Sequence, residues 1–144
     1  MDTLNHILLV LHFLGLAMGL SVGLSGIVMA GLIEKSAPAE RAVLGRFPPM
    51  MSRVGSIGLA LLWITGLSMY FLKWSDIGLG NMPWQFHLKL TLVVILSGLV
   101  GYLQSLQRRL RNGDASVMPT MQLLGRISFL TAIAIVICAV WAFN

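Results

Sequence analysis

Charge is what this sequence has least of. Only 10% of its 144 residues are charged, against about 25% in an ordinary soluble domain. Acidic residues are scarcest. Asp2, Glu34, Glu40, Asp76 and Asp114 are the whole set, and all lie in tails or connections between apolar runs. That excludes paired-carboxylate catalysis and a proton relay through buried acids. Cysteine is nearly absent too. Cys138, alone in an apolar run, permits neither an internal disulfide nor a CxxC metal site. There is no Ser/His/Asp constellation and no glycine-rich phosphate loop after a strand. The opening MDTLNH has no basic n-region, so it does not read as a removable signal peptide.

What is present is hydrophobicity, at 57% of residues with a mean hydropathy of +0.86. Four stretches, approximately 4–33, 54–71, 84–106 and 123–143, are long and apolar enough to span a bilayer, which takes about 20 residues. The expected fold is all-α: an integral membrane four-helix bundle forming a single transmembrane domain over 1–144. The first break, 34–53, carries charges and a Pro-Pro pair that cannot continue a helix. In the second, 73–83, Asn81 is a candidate N-cap and Pro83 suits a first turn. The third, 108–120, turns at Asn112-Gly113.

The net charge of +5 does not imply nucleic acid, because the positives flank apolar spans. Lys35, Arg41, Arg46 and Arg53 belong to the first connection, and Arg108, Arg109, Arg111 and Arg126 to the third or its border. The positive-inside rule places both connections in the cytoplasm. Both termini and the second connection then lie on the outer, periplasmic side of a bacterial inner membrane. Arg108, Arg109 and Arg111 are most simply anchors beside anionic lipid.

The three histidines, His6, His12 and His87, then fall toward one membrane face. His12 is roughly 12 Å down its span and His87 roughly 5 Å down its own, a gap that helix tilts of about 20° can close. Intramembrane ionisable groups are expensive and usually functional. His12 shares a helical stripe with Gly15, Gly19, Gly23 and Gly26, and His87 with Thr91, Val94, Gly98 and Gly101. One imidazole above small residues, on each of two helices, suits a flat macrocycle. Histidine is a common axial ligand of haem. The expected site is therefore haem b, with His12 and His87 as ligands and His6 as the alternative. Gly15, Gly19 and Gly98 would leave room for the ring, Lys89 would pair with a propionate, and Trp84 would cover an edge.

A plainer reading stands beside this one. Glycines four apart let helix backbones touch without any cofactor, as in a packing subunit of a larger membrane complex or a homo-oligomer. Lys89 equally reads as snorkelling to the outer interface. The nine methionines raise copper handling, since thioethers suit Cu(I), although methionine is more often core filler. A channel is disfavoured, because no polar stripe crosses the bilayer.

The segments LHFLGLAMGLSVGL (11–24), MMSRVGSIGLALLWITGLSM (50–69) and WQFHLKL (84–90) resemble the small four-span membrane family of the HemJ-type protoporphyrinogen oxidases and, more distantly, CopD-like membrane proteins. In order and length the resemblance covers most of the chain. It implies b-type haem in a helical bundle, with His12 and His87 as the positions to test, and oxidation of protoporphyrinogen IX to protoporphyrin IX. The expected role is redox: either that reaction on a porphyrin or electron exchange with a quinone or partner protein. The chain departs from that pattern in two places. GRISFLTAIAI (125–135) has Arg126 but no acidic residue after it, and Ala17 and Met18 stand where the family has a tryptophan.

Overall fold

The computed structural model describes residues 2–143. Five helices account for nearly all of them: α1 (Asp2–Lys35), α2 (Pro38–Leu44), α3 (Phe47–Lys73), α4 (Trp84–Arg111) and α5 (Met118–Phe143). No strand occurs among the described residues. Four helices are long and apolar enough to cross a membrane, as the hydropathy predicts, and each runs past its apolar segment into flanking polar sequence.

Local chemistry sets the breaks. α1 stops where Ala37, ahead of Pro38, takes an extended conformation (ψ 155°), because proline disfavours a helical residue before it. The Arg41 Nε then donates to the Ser36 carbonyl at 2.9 Å and ties the short α2 to the end of α1. The Pro48-Pro49 pair does not break a helix, as its chemistry suggested. It opens α3, where the first N–H groups have no helical partner to lose. Asn81 is not the N-cap of α4; that position is Pro83. Asn81 lies in a short 3-10 turn and donates its side-chain amide to the Ile77 carbonyl. Gly113, at φ 95°, makes the left-handed turn after α4 that glycine allows without strain. Asp114 accepts hydrogen bonds from the Ser116 hydroxyl and backbone N–H. Those bonds, with the nearby Arg109 charge, hold its carboxyl below the usual carboxylate range.

The long helices form an up-and-down ring. α1 packs on α3 and α5, α4 packs on α5 and sparsely on α3, and α1 and α4 stand on a diagonal without close backbone contact among the described residues. Among the described residues few side chains are buried: Leu106 and Ile135 are among them, and Thr65 is the polar one. Large apolar residues including Val10, Phe13, Ile64, Phe71, Leu130 and Ile137 line the outside. A water-soluble monomer does not tolerate that surface; a bilayer does.

The α1/α3 contact is tight because both helices contribute glycine. A Cβ on Gly15 would stand 2.8 Å from the Gly58 carbonyl oxygen, and one on Gly58 would stand 2.9 Å from the Gly15 oxygen. The α3/α4 seam is looser and is joined by side chains. Tyr70 stacks on Phe86 with ring centroids 5.8 Å apart. The Trp63 Nε1 donates to the Ser97 hydroxyl at 2.9 Å. The Gln104 amide donates to the Ser56 hydroxyl. These rungs recur every seven residues along α3, at 56, 63 and 70, the interval at which a helix face returns toward its neighbour.

Candidate functional site

The most enclosed polar group described is the Thr65 side chain, 2% exposed on α3. Its hydroxyl donates to the Leu61 carbonyl at 2.6 Å, the back-bond a threonine makes inside a helix. With its proton spent there, the Thr65 oxygen is left to accept. The His12 Nδ1 lies 2.8 Å from it. The bond therefore fixes the tautomer: Nδ1 carries the proton, and Nε2 keeps its lone pair. A metal-ligating histidine is held in this way, with one ring nitrogen donating to a neighbour and the other left to bind. The ring lies against α3 at Gly66, where a built Cβ would stand 3.5 Å from the His12 Cε1, an ordinary contact.

Lys89 of α4 is half-buried. His87, two residues earlier, is exposed. Two residues on one helix are about 200° apart, so when one faces the bundle the other cannot. α4 turns Lys89 inward and His87 outward. Trp84 is 64% exposed on the same helix end. Thr91, Val94, Gly98 and Gly101 continue the outward face below His87. His6 is exposed and lines a shallow groove of about 310 Å³ with Thr3, Ile7 and Val10.

The structure thus brings His12 together with Thr65, against Gly66. It leaves His87, Trp84 and Gly98 on the far side of α4. The glycines also divide. A Cβ on Gly15 would meet the α3 backbone and one on Gly23 the Phe129 ring of α5, whereas one on Gly19 or Gly98 would meet nothing. As an axial ligand for haem, the His12 end has the right tautomer and support. A ring clamped between His12 and His87 of one chain does not fit, because His87 faces away and the Gly58 backbone fills the space at Gly15. Among the described residues no three His, Cys, Asp or Glu side chains gather into a metal cluster.

Thr65 was not singled out by sequence, since one threonine in the run LLWITGLSM is unremarkable as helix filler. Nothing in the spacing of that run marks it as the partner of His12. The fold and this site define a class, a four-helix membrane bundle with a buried histidine–threonine pair and an inward-facing lysine. No protein-family model, curated protein or solved structure matches the chain.

Proposed function

We propose that the protein is an integral membrane b-type haem protein with a redox role, in which His12 is an axial ligand. The observation that carries this reading is the Leu61–Thr65–His12 chain of hydrogen bonds, which leaves the Nε2 lone pair for a metal. Thr65 orients the imidazole and keeps its tautomer. Lys89, turned inward on α4, offers a cationic group suited to a propionate carboxylate. The haem would supply one-electron chemistry, exchanged with a quinone, a porphyrin or a partner protein. The resemblance to the HemJ-type family favours a protoporphyrinogen-oxidase-like reaction. The charge pattern supports a bacterial inner membrane, with both termini outside.

A dithionite-reduced minus oxidised absorption spectrum of the purified protein in mild detergent tests this. The expected result is a sharp α-band with a shifted Soret band, both lost in His12→Ala. A flat spectrum from cells supplied with haem precursors overturns the proposal. His87→Ala addresses the second ligand. Loss of the native band would assign it to His87 donated from another copy, and retention would direct the search to the Lys89 side.

The second reading is a packing subunit without cofactor. The Gly15–Gly58 backbone contact favours it, as does the outward face of α4, where Gly98 and Gly101 are open to a neighbouring helix. A homo-oligomer or a larger membrane complex would form there.

A further inference from the structure

The α3/α4 seam opens at its α2 end into a cavity of about 440 Å³. The rung pattern explains why. One heptad beyond the Ser56–Gln104 rung, α3 presents Pro49 and α4 presents Arg111. Proline and arginine make no rung, and the helices stay apart. Arg53, Arg108 and Arg111 line the space, with Ser52 and Gln107 between them and the Ser56–Gln104 bond at its inner end.

Three guanidinium groups on two helices repel one another unless an anion sits among them. Among the described residues no carboxylate pairs with any of the three. Asp114, the acid of the adjoining turn, is engaged with Ser116 and lies beside Arg109 instead. Arg109 is also in the last turn of α4 but does not line the cavity. The basic cluster is therefore divided by direction: Arg108 and Arg111 face the seam with Arg53, and Arg109 faces elsewhere.

The geometry points to a binding site for a phosphate group, held by Arg53, Arg108 and Arg111 in the cavity between α3 and α4. A guanidinium presents a planar fork of donors that matches phosphate oxygens, and the Gln107 amide adds a neutral donor. Ile57, also on the wall, gives the cavity an apolar edge continuous with the lipid-facing side of α3. A phospholipid headgroup and a soluble phosphate ester offer the same chemistry to this site. The site stands independently of any haem at His12, which pairs with α3 further along the helix.

The test uses the full-length protein in mild detergent, with binding read by native mass spectrometry. The probes are dioleoylphosphatidylglycerol, dioleoylphosphatidylcholine and glycerol phosphate. The wild type is expected to retain the anionic lipid or glycerol phosphate, with about a tenfold loss for each of Arg108→Gln, Arg111→Gln and Arg53→Gln. Arg109→Gln removes the same charge and is expected to bind as the wild type does. Displacement of the lipid by glycerol phosphate would name a soluble ligand; lipid binding without such displacement would name the headgroup. Equal loss in Arg109→Gln and Arg108→Gln would mean diffuse surface attraction and overturn the site. Binding of neither anionic probe would overturn it as well. Retained helix content and elution volume in Arg53→Gln, on the opposite wall, separate lost binding from lost folding.

Discussion

At the scale of residues, the candidate site turns on which nitrogen of His12 carries a proton. Thr65 answers that by having only an oxygen lone pair left to offer. Thr65→Val keeps the shape and removes the acceptor. It orphans a buried N–H, at a cost of about 1–3 kcal/mol, and frees the imidazole to change tautomer. The expected outcome is lower stability in a denaturant titration and, if haem is bound, a shifted reduction potential, both largely restored in Thr65→Ser. An unchanged stability would mean that water or another group satisfies Nδ1 and that Thr65 has no positioning role. His12 was legible in the sequence, because an imidazole deep in an apolar span is conspicuous. The choice between His87 and Lys89 was not. Their spacing says that they oppose each other around α4, but it does not say which one faces inward. That depends on how α4 rolls against α5 and α3, which no pattern within 84–90 records.

At the scale of elements, the glycine stripes were legible as stripes and illegible as contacts. Gly15, Gly19 and Gly23 share one face of α1. Yet a Cβ on the first would meet α3, one on the third would meet α5, and one on Gly19 would meet nothing. The partner of Gly15 is Gly58, in the unremarkable stretch VGSIG. Two substitutions separate packing glycines from open ones. Gly58→Val forces a side chain against the Gly15 backbone and the Met18 Cβ, both 2.9 Å from the new Cβ. Backbone yields poorly, so a loss of about 1–3 kcal/mol is expected, seen as a lower melting temperature in detergent. Gly98→Val meets nothing within the chain and is expected to leave the isolated chain as stable as before. If α4 is the face on which copies or partners pack, the same variant lowers the oligomeric mass measured by light scattering. An equal melting temperature for Gly58→Val and wild type would dissolve the close α1/α3 contact on which the His12–Thr65 pairing depends.

At the scale of the whole molecule, the span count was written in hydropathy because a bilayer demands unbroken apolar length. The cyclic order of the helices was not, since short connections only make successive helices neighbours. They do not say that the α3/α4 side should be loose and joined by side chains. Orientation rests on charge alone, and it sets which compartment each site faces. In a Cys138→Ser background, Ser36→Cys and Asn112→Cys report on the basic connections, and Asp76→Cys on the remaining one. All three positions lie outside the apolar windows. With a membrane-impermeant maleimide on intact cells, Asp76→Cys is expected to label, and the other two only after permeabilisation. The reverse pattern would put Arg53, Arg108 and Arg111 outside. It would also move His12 and Lys89 to the cytoplasmic half, so that a redox partner would have to be sought there. Because α2 and the α4–α5 turn lie at one end of the ring and the α3–α4 connection at the other, the labels must split two against one. Any other split would contradict the up-and-down bundle itself.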